Sequence, residues 1–308
     1  MAVDEAMRMA GPSPQRTGVF VGTTGGFFVE AEVELFVARQ TDPGATPWFG
    51  RRGVGEVAEE IALQLGVRGP IATFSMACTS SAAAVLAAAA HLRSGTCDRA
   101  VVVGFDLLAS MTLYGFRSLM LCDPAPCRPF DRSRAGLQLG EGCGVVVIER
   151  GAGDFEFLGG ENRVDLSSMT ASSTDGSTVE TVIRGALSAS GVSESDVVSI
   201  KAHGTGTVDN DLSEGRGIAR VFGDSPPPFA SLKGALGHSL GAAGALELVL
   251  WLATLRAGFL PGSIGFADRD AEIGVSPIVG NLSAPRGVHL FHAFGFGGSC
   301  IAFTVRDA

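Results

Sequence analysis

The stretch FSMACTSSAAAVLAAAAHLRSG, residues 74–95, decides how the chain folds. Its alanine-rich part predicts a helix at 79–93, and a helix that is apolar all round is a buried one. A second small-residue helix is predicted at 241–256. The first ends in LRSG at 92–95 and the second in LRAG at 255–258, so the two helices end in the same pattern.

Apolar strands alternate with helices on both sides of this stretch. Strands are predicted at 17–22, 99–106, 144–149 and 197–204, and helices at 54–66, 79–93, 178–190 and 241–256. Alternation of this kind is typical of an α/β protein with largely parallel sheets.

A glycine-rich turn leads into a strand twice, as GEGCGVVVIE at 140–149 and as GFGGSCIAFTV at 295–305. The two turns lie 155 residues apart and the two helix ends 163 residues apart, which favours an internal duplication with a junction near 150–154. The alternative is chance, because the chain holds 43 glycines. A duplicated α/β fold brings equivalent loops of both halves together, where clefts form.

Composition narrows the class of protein. A net charge of −9 argues against nonspecific nucleic-acid binding, and no apolar stretch is long enough for a membrane span. Residues 1–17 have mixed charges and predict a flexible tail, not a signal peptide.

The six cysteines show no paired spacing, and Cys122 and Cys127 lack further ligands for zinc. We expect a cytoplasmic protein with free thiols and no metal.

Cys78 is the first candidate for chemistry. It precedes a helix that begins Thr-Ser-Ser, where backbone N–H groups and the helix dipole stabilise a thiolate. The sequence therefore predicts a pKa below that of a free cysteine. A buried packing thiol is the alternative for a cysteine beside alanines.

Two histidines and a lysine follow in the second half. His203 ends an apolar strand in KAHGTGTVDND, 201–211, where ligands bind in open α/β sheets, although it could instead cap a turn. Lys233 and His238 lie in SLKGALGHSLGAAG, 231–244, and Lys201 and Lys233 are the two lysines among 23 basic residues. A thiolate that accepts an acyl group, histidines that bind a thioester oxygen and a lysine that holds a carboxylate would suit acyl chemistry.

Five motifs in order resemble the β-ketoacyl-acyl carrier protein synthases, condensing enzymes of the thiolase fold. They are ACTSS (77–81), FDRSRAGLQLGEGCGVVVIE (130–149), AHGTGTVDND (202–211), SLKGALGHSLGAAG (231–244) and FGFGGS (294–299). The resemblance runs from about residue 18 to the end. It implies two duplicated βαβαβαββ halves in α-β-α-β-α layers, here 18–152 with the cysteine and 153–308 with both histidines and the lysine.

The resemblance also implies roles for single residues. Cys78 would be the acylated nucleophile, and His203 and His238 would bind the extender thioester and drive its decarboxylation. Lys233 would position His238 and pair with Glu141 of the GEG turn.

The glycine-rich turn would complete the site. The backbone N–H groups of Cys78 and Phe296 would form an oxyanion hole, since Gly295 and Gly297 let the backbone come close. Phe296 would also gate the acyl pocket.

The implied reaction joins an acyl group on the cysteine to malonyl-acyl carrier protein, with loss of carbon dioxide, in fatty acid or polyketide synthesis. No cofactor is implied. The partners would be acyl- and malonyl-loaded carrier proteins and a second subunit, identical or related, that pairs through the strand at 70–76. An acyltransferase or hydrolase using the same acyl-cysteine, and a non-catalytic partner subunit, stay open as alternatives.

The chain departs from the family pattern in three places. Members begin with a strand and glycine turn before the segment that GVFVGTTGG, 18–26, resembles, and this chain shows no such opening. We therefore expect an incomplete first half that is rebuilt from the tail, left open or completed by another chain. Residues 150–170 are compressed, and Cys300 stands where the family usually has asparagine.

Overall fold

The computed structural model describes residues 1–11, 16–46, 53–166 and 173–307. The helices are α1 (Ala2–Ala10), α2 (Phe28–Thr41), α3 (Glu56–Leu65), α4 (Ser80–Arg93), α5 (Ser110–Ser118), α6 (Ser177–Ser190), α7 (Val208–Phe222), α8 (Lys233–Leu236) and α9 (Ala243–Arg256). The strands are β1 (Thr17–Gly22), β2 (Ile71–Phe74), β3 (Arg99–Asp106), β4 (Gly142–Glu149), β5 (Phe155–Val164), β6 (Val197–Lys201), β7 (Phe229–Ala230), β8 (Phe259–Leu260), β9 (Leu282–Ser283), β10 (Val288–Phe294) and β11 (Ser299–Asp307).

The first sheet has the strand order β2-β1-β3-β4. Its strand β1 is parallel to both β2 and β3, whereas β4 runs antiparallel to β3. The central strands β1 and β3 are buried along nearly their whole length, as their continuous apolar sequences require of strands covered on both faces.

The second sheet repeats this arrangement and adds a strand. Its order is β7-β6-β10-β11-β5, with β6 parallel to β7 and β10, and β11 antiparallel to β10 and β5. The strands β2-β1-β3-β4 thus correspond to β7-β6-β10-β11. This match confirms the predicted duplication. Within the described residues, β5 has no counterpart beside β4, as expected of an incomplete first half.

The prediction of a flexible tail at 1–17 is wrong for most of its residues. Residues 2–10 form α1, whose side chains Val3 and Met7 pack on the outer face of the first sheet. Arg99 of β3 donates hydrogen bonds to the carbonyl oxygens of Ala10 and Gly11 at the end of this helix. Helix α1 is short and carries three charges, so the sequence showed no clear pattern of apolar residues there.

Helices α4 and α9 form the layer between the two sheets. The core around them takes side chains from both sheets, among them Phe20 and Val102 of the first and Phe291 and Phe303 of the second. Helix α3 covers the outer face of the first sheet, and α6 and α7 cover the outer face of the second. This is the α-β-α-β-α layering that the family resemblance implies.

Small residues bring the two central helices into close contact. A Cβ atom added to Gly244 of α9 would lie 2.5 Å from the backbone nitrogen of Ala82 in α4. The alanine-rich composition of α4 therefore serves close packing against both sheets and α9.

Replacing Gly244 by alanine is expected to lower the free energy of unfolding by ~1–3 kcal/mol, because the new methyl group overpacks this contact. Gly115→Ala is the matched control. It lies in exposed α5 with no atom within 4 Å of the added Cβ, and should stabilise slightly through helix propensity. Urea titration of both variants measures the difference, and equal stabilities would contradict the close packing.

Candidate active site

Cys78 lies in the tight turn between β2 and α4. Ala77 before it has the left-handed φ of 47°, which costs energy for a residue other than glycine. Ser80 holds the turn, since its hydroxyl donates to the Ala77 carbonyl at 2.6 Å and accepts the Met76 N–H at 2.9 Å. The turn thus fixes the thiol at the N-terminal end of α4, where it is 6% exposed.

The pKa of Cys78 lies above, not below, its ordinary value. Burial raises the pKa of the thiol to about 11, while the charge of Lys233 and the backbone N–H of Phe296 act in the opposite direction. The predicted low pKa is therefore wrong, because the sequence shows the helix terminus but not the loss of water around the sulfur. The resting site holds a thiol.

This raised pKa predicts how Cys78 reacts with iodoacetamide. The rate of its alkylation should rise about tenfold per pH unit from pH 7 to 10, because only the thiolate reacts. Subtracting the rate of a Cys78→Ser variant isolates this thiol from the exposed Cys143. A plateau below pH 9 would show that the site stabilises a thiolate after all.

Two buried histidines share a cavity with the thiol. His203 follows the end of β6 and His238 follows α8, and each is 2% exposed. Their ring centroids lie 5.4 Å apart and their planes are nearly perpendicular. The cavity has a volume of about 220 Å³ and is lined by Cys78, His203, His238, Phe116, Phe294 and Phe296, among others.

Two carboxylates of α7 fix the loop that carries His203. Glu214 accepts the backbone N–H groups of His203 and Gly204, each at 2.7 Å. Asp211 accepts the N–H of Thr205 at 2.9 Å, and burial raises its pKa to about 6. Neither carboxylate was predicted from the sequence to have a role. The acidic residues after the Gly-Thr-Gly-Thr turn were the signal that could have found them, since tight turns need acceptors.

Lys233 pairs with a different carboxylate from the one expected. Its Nζ donates to Oε1 of Glu247 at 2.6 Å and to the His203 carbonyl at 2.7 Å, and lies 3.2 Å from His203 Nδ1. The predicted pairing with Glu141 is wrong, because Glu141 is exposed just before β4 and accepts the Leu108 N–H.

The histidine that Lys233 contacts also differs from the expectation. The structure places its ammonium on His203, whereas Nδ1 of His238 has no hydrogen-bond partner among the described residues. The physical reason is that Lys233 follows β7, which pairs with β6, so the lysine lies beside the end of β6 that leads to His203.

The contacts of Lys233 define the protonation of His203. An ammonium group donates hydrogen bonds but cannot accept them, so Nδ1 of His203 accepts and its proton sits on Nε2. Burial and the Lys233 charge lower the pKa of His203 well below its ordinary value, and the same causes lower that of His238 to about 3. Both rings are therefore neutral at pH 7.

The turn at 295–298 brings backbone N–H groups to the thiol. A Cβ atom on Gly295 would lie 3.2 Å from the backbone nitrogen of Cys78, and Gly297 adopts a φ of 79°. The backbone N–H of Phe296 acts to lower the pKa of the Cys78 thiol. The Phe296 ring stacks on Phe116 of α5 with centroids 5.5 Å apart and lines the cavity beside the thiol.

No group of three or more metal-binding side chains occurs within the described ranges. Cys122 and Cys127 are free, and the Cys127 thiol donates to the Thr205 carbonyl at 3.1 Å. No helix in the described part of the chain is long and apolar enough to cross a bilayer.

Two sequence profiles match the chain. The profile described as "Beta-ketoacyl synthase, N-terminal domain" matches residues 1–153, and "Beta-ketoacyl synthase, C-terminal domain" matches residues 159–267. Nodulation protein E of Rhizobium meliloti is 32% identical, over 97% of this chain and 79% of that protein. The chloroplastic 3-oxoacyl-[acyl-carrier-protein] synthase II of Arabidopsis thaliana is also 32% identical, over 92% of this chain and 56% of the enzyme.

Solved structures show the same fold. One chain of the complex between the ketosynthase ApeO and its chain length factor ApeC from Xenorhabdus doucetiae superposes with a TM-score of 0.86 at 29% identity. That match covers 99% of this chain and 77% of the other. A β-ketoacyl synthase from Burkholderia phymatum superposes with a TM-score of 0.88 at 24% identity, over all of this chain and 80% of the other, which speaks for the fold alone.

Proposed function

Because the chain belongs to the β-ketoacyl synthase family, we propose that it joins an acyl chain on Cys78 to malonyl-acyl carrier protein, with loss of carbon dioxide. The product is a β-ketoacyl-carrier protein of fatty acid or polyketide synthesis. The observation that carries the proposal is that a thiol, two neutral histidines and backbone N–H groups lie together in one cavity.

The first step is transfer of the acyl group to Cys78. The sulfur attacks the thioester carbon, and the bond to the carrier's sulfur breaks. The N–H groups of Cys78 and Phe296 stabilise the negative charge on the carbonyl oxygen as it develops. Because the pKa of the thiol is about 11, its proton leaves during the attack and is taken by the departing carrier thiolate.

The second step is decarboxylation of the malonyl group. The bond to the carboxylate breaks, carbon dioxide leaves, and the electron pair forms an enolate on the thioester. His203 donates its Nε2–H to the enolate oxygen. Neutral His238, whose ring centroid lies 5.4 Å from that of His203, faces the same oxygen. Preorganised donors of this kind are each worth roughly 10²–10³ in rate.

The third step forms the new carbon–carbon bond. The enolate carbon attacks the acyl-Cys78 thioester, and the tetrahedral oxyanion accepts hydrogen bonds from the same two N–H groups. When this intermediate collapses, the Cys78 thiolate leaves and takes up a proton from water. Its high pKa ensures that the thiol returns to the resting state.

Assembly with a second subunit belongs to the proposal. Within the described residues β2 is an edge strand of the first sheet, and it exposes Ile71, so it can pair with a strand of another chain. The related ketosynthase ApeO was solved with a chain length factor, which supports either a homodimer or a pair with a related subunit. Cys78, Cys97, Cys122, Cys127 and Cys143 are free thiols, which favours a reducing compartment such as the cytoplasm.

Mass spectrometry of the intact protein tests the proposed function. Incubation with acyl-carrier protein should add one acyl group to Cys78, and malonyl-carrier protein should then remove it as a longer β-keto chain with one carbon dioxide. Discharge to water, an amine or an alcohol instead would indicate a hydrolase or acyltransferase. If no adduct formed on Cys78, both enzymatic functions would be excluded in favour of a partner subunit.

A further inference from the structure

The structure buries a second lysine beside the site that the mechanism above does not use. Lys201 is the last residue of β6, two positions before His203, and it is 2% exposed. Its Nζ donates to Oε2 of Glu247 at 2.5 Å and to the carbonyl oxygen of His292 at 2.8 Å. Burial of an ammonium group is unfavourable unless it is paired, so its presence calls for a physical reason.

Glu247 is bound by two lysines at once. Lys201 holds Oε2 and Lys233 holds Oε1, and the carboxylate is 1% exposed. The pair of Glu247 and Lys233 alone would already be neutral. Lys201 is therefore not needed to neutralise Glu247, and its contact with Oε2 fixes the orientation of that carboxylate.

That orientation determines where the protons of Lys233 point. An ammonium group has three N–H bonds, which here face Glu247 Oε1, the His203 carbonyl and His203 Nδ1. If Oε2 were free, the carboxylate could turn and take a second N–H of Lys233. With Oε2 held by Lys201, the third N–H stays on the histidine ring.

We propose that Lys201 is a positioning residue, which acts through Glu247 and Lys233 to keep the hydrogen bond on His203 Nδ1 and the proton of that ring on Nε2. The catalytic consequence rests on the proposed function, since the Nε2–H is the group offered to the extender thioester. The state of the histidine ring does not depend on that function and can be observed in the resting protein.

Nitrogen-15 NMR of the histidine-labelled protein at pH 7 reports the ring directly. A His203→Gln variant assigns the His203 resonances. In the wild type, Nδ1 should appear as an unprotonated nitrogen shifted by a hydrogen bond, and Nε2 as protonated. In Lys201→Met, the Nδ1 signal should move to the position of an unbonded nitrogen or average with that of a protonated one. An unchanged signal would overturn the proposal.

The two half-reactions then separate positioning from general damage. Lys201→Met should slow carbon dioxide release from malonyl-carrier protein by ~10–100-fold. Losses of this size are typical in other proteins when a group that orients a functional histidine is removed. The rate of Cys78 acylation, which does not use His203, should change less than about threefold. A parallel decrease of both rates would mean that Lys201 has only a structural role.

Two further variants sharpen the comparison. Lys201→Gln keeps a hydrogen-bond donor for Glu247, so it should change the His203 signal and the rate of carbon dioxide release in the same direction but by less. This variant keeps the test available if Lys201→Met folds poorly. His289→Gln is the matched control, because His289 is buried on β10 and bonded to Ser199 of β6 at 2.6 Å, yet it contacts none of the groups above. It should leave the His203 signals unchanged. A wild type with these signals but no carbon dioxide release would refute the proposed function and leave the placement of Lys201 standing.

Discussion

Replacing Cys78 by alanine is expected to lower the rate of condensation by at least ~10⁴-fold, since Cys78 is the one thiol among the described residues that line the cavity. The acyl adduct should be absent from the mass spectrum of the intact protein. Carbon dioxide release from malonyl-carrier protein should continue, because the two histidines and Lys233 are untouched by the change.

A matched control for this variant is Cys97→Ala. Cys97 is also a fully buried thiol, but it precedes β3 and packs in the core away from the cavity. Its replacement should leave the condensation rate within about threefold of the wild type. A Cys78→Ala protein that still condensed acyl and malonyl groups would contradict the proposed nucleophile.

Replacing Glu247 by leucine is expected to lower the free energy of unfolding by ~3–5 kcal/mol, the usual cost of breaking a buried ion pair. The substitution preserves volume but leaves Lys201 and Lys233, each at most 2% exposed, without their carboxylate. Urea titration measures the loss, and condensation should fall with it because Lys233 is no longer held.

The surface offers a matched control for this carboxylate. Glu180 of α6 also binds two cations, Arg184 at 3.0 Å and Arg220 at 2.8 Å, but its side chain is 27% exposed. Glu180→Leu should lower the free energy of unfolding by no more than ~1 kcal/mol.

A triple variant tests the same network from the other side. Adding Lys201→Met and Lys233→Met to Glu247→Leu should restore much of the stability without restoring activity, since apolar residues often replace a buried ion network without loss of stability. Equal effects of the two glutamate substitutions would contradict this account.

The same network predicts an acid limit for stability. Burial acts to raise the pKa of Glu247, but the two lysine charges bring it below its ordinary value of 4.5. Its ionised form is therefore favoured by folding, and the stabilisation is present above pH 4.5 and lost as the pH falls further. Glu247→Leu should lose less stability than the wild type over that acid range.

The sequence predicted the fold well where apolar runs were long. The predicted strands at 17–22 and 99–106 coincide with β1 and β3, and the helices at 79–93 and 178–190 lie within one residue of α4 and α6. The shared pattern of the two central helices indicated the duplication that the matching strand orders confirm. Helix α1 was missed because nine residues with three charges carry little apolar periodicity.

The sequence predicted which residues form the site better than it predicted which of them contact each other. Cys78, His203, His238 and Phe296 all line one cavity, while their catalytic roles stay predictions. The partner of Lys233 could have been found from Glu247, a single charge in the otherwise apolar run 243–255, which requires a buried cation. The raised pKa of Cys78 could not, because it depends on packing from distant parts of the chain.

The position of α4 between the two sheets has a consequence for how the protein gains its activity. The turn that carries the thiol is bonded to the start of β11, through Thr79 and Ser299 at 2.9 Å, while the histidines belong to the second half. Neither half can assemble the cavity alone. During refolding, recovery of catalysis should therefore wait for docking of the two halves, and separately produced halves should regain it only when mixed.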